Sequence, residues 1–130
     1  MSIRDNYLEI LKRKEAAAKR SGRNPKDVML MAVTKKHEPD ELKEAIDAGA
    51  TDFGENKVQE LLSKYDEVHP ERWHLIGHLQ TNKVRQIIDK VTMIHSVDSL
   101  KLAREINKRA SAAGIVMDVL IEINLAEEES

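Results

Sequence analysis

A lysine that can form a Schiff base with an aldehyde follows directly after an apolar, strand-like segment near the start of the chain. The segment is Val28–Thr34, and it is followed by Lys35 and Lys36. Its apolar and β-branched residues are typical of a strand buried on both faces of a parallel sheet. Ligands bind at the carboxyl edge of such sheets, where a lysine amine is a candidate nucleophile. The alternative is that the lysine only marks where the strand meets water, since many strands end in a polar residue.

Two neighbouring lysines compete for this role. Side chains alternate between the two faces of a strand, so Lys35 shares its face with Met31 and Val33. Lys36 then lies on the opposite face or already in the following loop. Periodicity alone does not decide which lysine enters a pocket.

Polar residues also stand at the carboxyl ends of the other predicted strands. They are Glu55-Asn56, Gly77-His78, Ser96 and Asn124, in addition to Thr34-Lys35. If the strands are parallel, all of these ends meet on one rim of the sheet. The sequence therefore predicts a binding site at that rim.

Several kinds of site are disfavoured by the residue pattern. His74 and His78 are four residues apart, a spacing that suits zinc on a helix, but here they flank a strand and a glycine, so no metal site is expected. Neither a phosphate-binding glycine loop nor a nucleophile elbow is present. The chain has no cysteine, which excludes disulfides, thiolate metal ligands and a cysteine nucleophile.

The composition is that of an ordinary globular domain without an excess of charge. The 130 residues are 41% hydrophobic, and 21 lysines and arginines nearly balance 23 aspartates and glutamates, for a net charge of −2. This balance gives no reason to expect binding to nucleic acid or to a membrane surface. With no apolar signal segment or membrane-length run, the expected location is the cytoplasm.

Strands and helices are predicted to alternate after one leading helix. The leading helix covers residues 2 to about 21 and ends at Gly22. Strands are predicted at about 27–34, 51–56, 73–77, 93–97 and 116–124. Helices are predicted at about 39–48, at 58–66, from a cap at Thr81 to about 91, and from a cap at Asp98 or Ser99 to about 113.

This alternation predicts parallel strands joined by right-handed crossovers. The result is either a doubly wound sheet or part of a (β/α)₈ barrel. A whole barrel needs about 250 residues, of which 130 are about half. Each unit of the barrel contains one strand, so the five predicted strands correspond to about five of its eight units. A strand without its covering helix leaves an open edge, which favours pairing with another chain.

Six motifs, in order and at familiar spacings, resemble those of one family. They are Ala32-Val33-Thr34-Lys35, Glu44-Ala45-Ile46-x-Ala48-Gly49, Phe53-Gly54-Glu55-Asn56-x-Val58-Gln59-Glu60, Trp73-His74-x-Ile76-Gly77-x-Leu79-Gln80-x-Asn82-Lys83, Ser96-Val97-Asp98 and Ile121-x-Ile123-Asn124. Together they resemble the pyridoxal phosphate homeostasis protein family, whose members are single-domain barrels of the TIM type, similar to the N-terminal domain of alanine racemase. The resemblance covers essentially the whole chain.

The resemblance implies a cofactor and its ligands. It implies that Lys35, and not Lys36, is the lysine that forms a Schiff base with pyridoxal 5′-phosphate. Asn56, His74 and Ser96 line the cofactor pocket. Family members are considerably longer, and the later strands that supply their phosphate-binding residues have no counterpart in these 130 residues.

The resemblance also implies a function for residues 1–130, which are predicted to form a single, partial cofactor-binding barrel domain. We expect a protein that carries or buffers pyridoxal 5′-phosphate in intracellular vitamin B6 and amino-acid homeostasis without substrate turnover. One alternative is a pyridoxal-phosphate enzyme such as an amino-acid racemase, which requires a group placed to remove a proton from the bound amino acid. The other is a truncated fragment that binds the cofactor weakly and associates with itself through its open strand edges.

Overall fold

The computed structural model describes residues 2–125, which fold as one parallel sheet with helices packed against it. The strands are β1 (Met31–Val33), β2 (Asp52–Glu55), β3 (Arg72–Leu75), β4 (Met93–Val97) and β5 (Asp118–Ile121). The helices are α1 (Ile3–Arg20), α2 (Pro39–Asp47), α3 (Val58–Tyr65), α4 (Val84–Ile87) and α5 (Leu100–Ala113). Short 3₁₀ turns precede β1 at Pro25–Asp27 and α4 at Thr81–Lys83.

Local sequence signals determine where the helices begin and end. The Ser2 hydroxyl accepts a hydrogen bond from the Asp5 amide at the start of α1, and Ser99 does the same for Leu102 in α5. Helix α5 ends at Gly114, whose φ of 71° is a left-handed conformation that glycine adopts without strain. These caps satisfy backbone groups that the helices themselves leave unpaired.

The strands pair in sequence order, and all four pairings are parallel. A doubly wound sheet reverses its strand order at a switch point, whereas barrel strands follow one another around the barrel. The observed order therefore selects the barrel type between the two architectures that alternation allows. The predicted α/β fold class, with about five of eight barrel units, is confirmed.

The helices cover one face of the sheet, which we call the outer face. Apolar side chains from this face and from the helices form the core. Its members include Phe53, Trp73, Leu75, Ile94 and Val97 from the strands and Leu42, Leu61, Ile87, Leu102 and Ile106 from the helices. Each large apolar side chain buried in this way contributes about 1.5–3 kcal/mol, so this layer supplies most of the stabilisation.

The opposite face is called the inner face below, and at its β1 edge Ile3, Tyr7 and Ile10 of α1 line a cavity together with Met31 and Val33. Met31 lies on this face, and its sulfur and the Ile76 side chain occupy the space left by the missing Cβ of Gly54. Val33 is 49% exposed, although it belongs to a strand with an apolar sequence. In a closed barrel these side chains would form the packed interior.

Several predicted elements are shorter in the structure, among them the last strand, which is predicted at 116–124 and found at Asp118–Ile121. The first strand begins only at Met31, because Asn24 caps a 3₁₀ turn at Pro25–Asp27. Helix α4 ends at Ile87 rather than near residue 91, because the chain tightens there and the Lys90 amide bonds the Ile87 carbonyl. The expected cap at Thr81 is not found, because the N-cap of α4 is Lys83, whose side chain makes no capping hydrogen bond.

Among residues 2–125, no helix is both long and apolar enough to span a membrane.

Apolar side chains are exposed at the β5 edge of the sheet. Ile121 is 75% exposed and Ile123 is 69% exposed, and the described residues supply no sixth strand. An unpaired edge flanked by apolar side chains is a template for pairing with another strand.

We therefore expect the 130-residue chain to self-associate in a concentration-dependent manner in sedimentation velocity experiments. Ile121→Lys should weaken this association, because a lysine on an edge strand opposes pairing. Lys101→Ala, a change at an exposed site on α5, is the control. Monomeric behaviour of the unmodified chain at all concentrations would contradict the expectation.

Candidate functional site

Lys35 lies at the carboxyl end of β1, in the turn that leads to α2. The residue is exposed, and its amine has no hydrogen bond or ion pair with any other described residue. Because Thr34 faces the helices, the alternation along β1 places Val33 toward the inner face, and continuing it by one residue into the turn predicts that Lys35 points the same way. The structure thus presents an unpaired amine just beyond the carboxyl end of β1.

Thr34 and Glu55, which the sequence assigns to the rim, are turned to the outer face instead. Both are fully buried, and the Thr34 hydroxyl donates a hydrogen bond of 2.7 Å to Glu55 Oε2. The Lys64 ammonium of α3 lies 2.9 Å from the same oxygen. The expectation that all polar strand ends gather on one rim is therefore wrong for these two residues, because their side chains pair with a helix.

Asn56 follows β2 and is partly exposed on the same rim as Lys35. A Cβ atom at Gly77 would collide with the backbone of Asn56, so only glycine allows the ends of β2 and β3 to approach this closely. The residues around this contact line an open cleft of about 640 Å³. They are Asn56, Lys57, Val58, Gln59, Gly77, His78, Gln80 and Lys83.

His74 lies on the inner face, at the level of Val33 and Gly54 and therefore one layer below Lys35. Both of its ring nitrogens are engaged: Nε2 is 2.7 Å from Asp52 Oδ2, and Nδ1 is 3.0 Å from His95 Nε2. Since an ionised carboxylate only accepts hydrogen bonds, Nε2 of His74 donates to Asp52. When both rings are neutral, Nδ1 of His74 then accepts a hydrogen bond from His95.

Asp52 anchors this chain of side chains. Burial by itself raises the pKa of the Asp52 carboxyl, but hydrogen bonds from Arg72, Thr51 and His74 outweigh burial and hold the pKa at about 2. Arg72 donates hydrogen bonds to both carboxylate oxygens of Asp52, from Nε to Oδ2 at 2.8 Å and from Nη2 to Oδ1 at 2.9 Å. Burial and the neighbouring His74 lower the pKa of His95. The network therefore favours the ionised form of Asp52 at one end and the uncharged form of His95 at the other, with His74 between them.

Ser96 is buried within β4, and its hydroxyl has no hydrogen-bond partner among the described residues. It lies where the pairing of β4 with β5 shifts register, between Ile94 and Val97. The structure thus brings Lys35 and Asn56 to one rim, ties His74 into a layer below it, and shows no contact that joins Ser96 to them. A buried hydroxyl without a partner has bonding capacity that a ligand can use.

The residues predicted from the sequence did not include Asp52, Arg72 or His95. A signal was present, because these residues and His74 occupy inner-face positions on three consecutive strands. Three of them can act as metal ligands, but within the described part of the chain no group of such residues is arranged to hold a metal ion.

Comparison with known proteins identifies the family. A model of the alanine racemase N-terminal domain matches residues 8–127. The chain belongs to this family. The pyridoxal phosphate homeostasis protein of Aquifex aeolicus (strain VF5) is 41% identical over 132 residues, which cover 100% of this chain and 58% of that protein. The resemblance inferred from the six motifs is thereby confirmed.

Two solved structures are similar to this chain in fold and sequence. PipY of Synechococcus elongatus PCC7942, with pyridoxal phosphate bound, superimposes with a TM-score of 0.73 at 34% identity, over 88% of this chain and 56% of PipY. An unknown protein from Bifidobacterium adolescentis gives a TM-score of 0.84 at 37% identity, over 98% of this chain and 57% of its own. The chain thus spans somewhat more than half the length of the relatives it matches.

The Asp52 network predicts a pH dependence of stability. Because the folded-state pKa of Asp52 is about 2 against an ordinary 3.8, its contribution is present above about pH 4 and is lost as the pH falls through 2. A depression of this size corresponds to about 2 kcal/mol, shared among the three donors. We expect Arg72→Met to lower the free energy of unfolding in urea at pH 6, with a difference from the unmodified chain that shrinks toward pH 2.

The matched control is Arg85→Met, because Arg85 is exposed and forms no ion pair with another described residue. Its difference from the unmodified chain should be small and independent of pH. A difference for Arg72→Met that stays constant from pH 6 to pH 2 would show that Asp52 is not the group responsible.

Proposed function

We propose that this protein binds pyridoxal 5′-phosphate through a Schiff base with Lys35 and carries or buffers the cofactor in vitamin B6 and amino-acid homeostasis, without turning over a substrate. The observation that carries the proposal is the free amine of Lys35 at the inner rim, in a chain related to a protein with pyridoxal phosphate bound. Relatives named pyridoxal phosphate homeostasis proteins support the same role. The cytoplasmic location expected from the sequence is kept as part of this proposal.

The residues at the rim fit the reactive part of the cofactor. Pyridoxal phosphate supplies an aldehyde that captures amines and a ring that withdraws electrons from the captured group. Lys35 supplies the amine, and the neighbouring Asn56 carboxamide has no partner among the described residues, so it is available to donate or accept a hydrogen bond.

His74 is proposed to support the pocket from below. Its ring is fixed by Asp52 on one side and His95 on the other, and it is only 1% exposed. Hydrogen bonds at both nitrogens fix the orientation of the ring, so that it forms an ordered surface beneath the layer of Lys35. Ser96 is proposed as a further pocket residue because its buried hydroxyl is unsatisfied among the described residues.

Cofactor binding by these 130 residues is expected to be weak. The family resemblance implies that the phosphate is held by residues on later strands, and the chain spans 58% of its Aquifex relative. An amine alone gives little affinity, because ionic and hydrogen-bonded contacts to a phosphate are among the strongest that proteins make.

Amino-acid racemisation is the second candidate, favoured by the match to the alanine racemase N-terminal domain. Racemisation needs groups on both faces of the bound amino acid to remove and return a proton. Sustained conversion of an amino acid that is lost in Lys35→Ala would favour this reading over cofactor storage.

Reductive labelling tests the proposed lysine. The neutral amine adds to the aldehyde carbon of pyridoxal phosphate, the aldehyde oxygen leaves as water, and borohydride then adds hydride to the carbon–nitrogen double bond. We expect peptide mapping by mass spectrometry to find the reduced adduct chiefly on Lys35 at low cofactor concentration. Lys35→Ala should remove this adduct.

Lys36→Ala is the matched control, since it removes a neighbouring exposed lysine and should leave labelling of Lys35 intact. Label spread evenly over many lysines of the unmodified chain would overturn the proposed site.

A further inference from the structure

Lys35 and Lys36 lie in a tight turn that directs them to different sides of the sheet. The His37 amide donates to the Thr34 carbonyl at 3.1 Å, which closes a four-residue turn with the two lysines at its centre. Lys36 has a φ of 64°, and it is the only residue other than glycine with a positive φ among residues 2–125. A positive φ at the third turn position is the pattern of a type II turn, where glycine or asparagine is usual.

A lysine at this position is strained and needs support from its surroundings. The left-handed conformation costs a residue with a Cβ about 1–2 kcal/mol. The Lys36 amide donates to Glu60 Oε2 at 3.2 Å, and this hydrogen bond ties the turn to α3. Lys36 therefore lines a cleft on the helix side of the sheet, together with Glu60, Ser63 and Lys64.

Lys64 connects this turn to the sheet. Its side chain is 8% exposed, and its ammonium lies 2.8 Å from the Thr34 carbonyl, 2.9 Å from Glu55 Oε2 and 3.4 Å from Glu60 Oε2. An ammonium has three hydrogens to donate, so all of its capacity is used. One of the three acceptors closes the turn, and another holds the Lys36 amide.

We propose that Lys64 and Glu60 are positioning residues that hold the turn in the form in which Lys35, and not Lys36, meets the cofactor aldehyde. Neither residue needs to touch the cofactor, because both lie on the outer face while Lys35 is directed to the inner face. The inference rests on the proposed function, since it concerns the choice between two lysines as the site of Schiff-base formation. Relaxing the turn lets the backbone rotate and gives Lys36 access to the inner rim.

Glu60→Ala is the main test because Glu60 is at the surface, with a side chain 32% exposed, so the variant should fold. After incubation with limiting pyridoxal phosphate and reduction with borohydride, we expect the ratio of label on Lys35 to label on Lys36 to fall about tenfold, the order expected when a charge-assisted hydrogen bond is lost. Glu60→Gln should keep most of the selectivity, because its amide oxygen can still accept from the Lys36 amide.

Glu67→Ala is the matched control, since it removes a carboxylate that lines the same cleft and makes no hydrogen bond or ion pair within the described residues. Lys64→Met should produce the same shift as Glu60→Ala. Its thermal unfolding is measured alongside, because it leaves Glu55 buried without a cation. If Lys64→Met does not fold, the Glu60 variants still decide the question.

The outcomes separate this inference from the proposed function. If the unmodified chain shows no preference for Lys35, the proposed function fails first. If the unmodified chain prefers Lys35 and Glu60→Ala keeps the same ratio, the positioning role is wrong. A ratio that falls equally in Glu67→Ala, or equally in Glu60→Gln, also overturns it. If the ratio of label on Lys35 to label on Lys36 falls more in Glu60→Ala than in Glu67→Ala and in Glu60→Gln, the positioning role is established.

Discussion

The Lys64 ammonium is buried between α3 and the ends of β1 and β2, where it meets the carboxylate of Glu55. Removing two charges from water costs several kcal/mol each, and the interior restores this only when the geometry is good and the remaining hydrogen-bonding capacity is used. Here the ammonium satisfies three acceptors, at the ends of two strands and on one helix, while Glu55 Oε1 has no partner among the described residues. Breaking such a pair by removing one partner typically costs about 3–5 kcal/mol. The end of β1, and with it the direction of Lys35, depends on this contact.

The sheet carries a separate polar network on each face. On the outer face, Glu55 and Thr34 bind Lys64 within a largely apolar core. On the inner face, Asp52, His74 and His95 form a hydrogen-bonded chain that crosses three strands. The inner network fixes the layer below the rim, and the outer network fixes the rim backbone. Between them, Lys35 is left with an unengaged amine among the described residues.

Much of this arrangement could be predicted from the sequence, because it depends on periodicity and on short local signals. Alternation of strands and helices predicted the parallel sheet, and the period of two predicts that Lys35 shares a face with Met31 and Val33. The carboxyl ends of parallel strands meet at one rim, which predicted the location of Asn56. The sequence did not decide between a doubly wound sheet and a barrel, and the strand order in the structure decides for the barrel.

The pairing of polar side chains could not be predicted in the same way. Glu55 was assigned to the rim because it ends a strand, yet its side chain turns to a lysine nine residues later in the chain. Lys64 follows the buried Leu61 by three residues and so shares its helix face, but a lysine beside an apolar stripe usually reaches out to water. Likewise, the contact of Asp52 with His74 requires the register of β2 against β3, which spacing alone does not specify.

The most direct measurement is a titration with pyridoxal phosphate of the unmodified chain and of two variants that each lack one lysine, Lys35→Met and Lys36→Met. The readout is the absorbance change that accompanies Schiff-base formation. The two residues are adjacent and exposed, so the variants differ little in charge or surface. The structure predicts a saturable absorbance change in the unmodified chain and in Lys36→Met, and its loss in Lys35→Met. An equal change in both variants, or a loss confined to Lys36→Met, would contradict the assignment of Lys35.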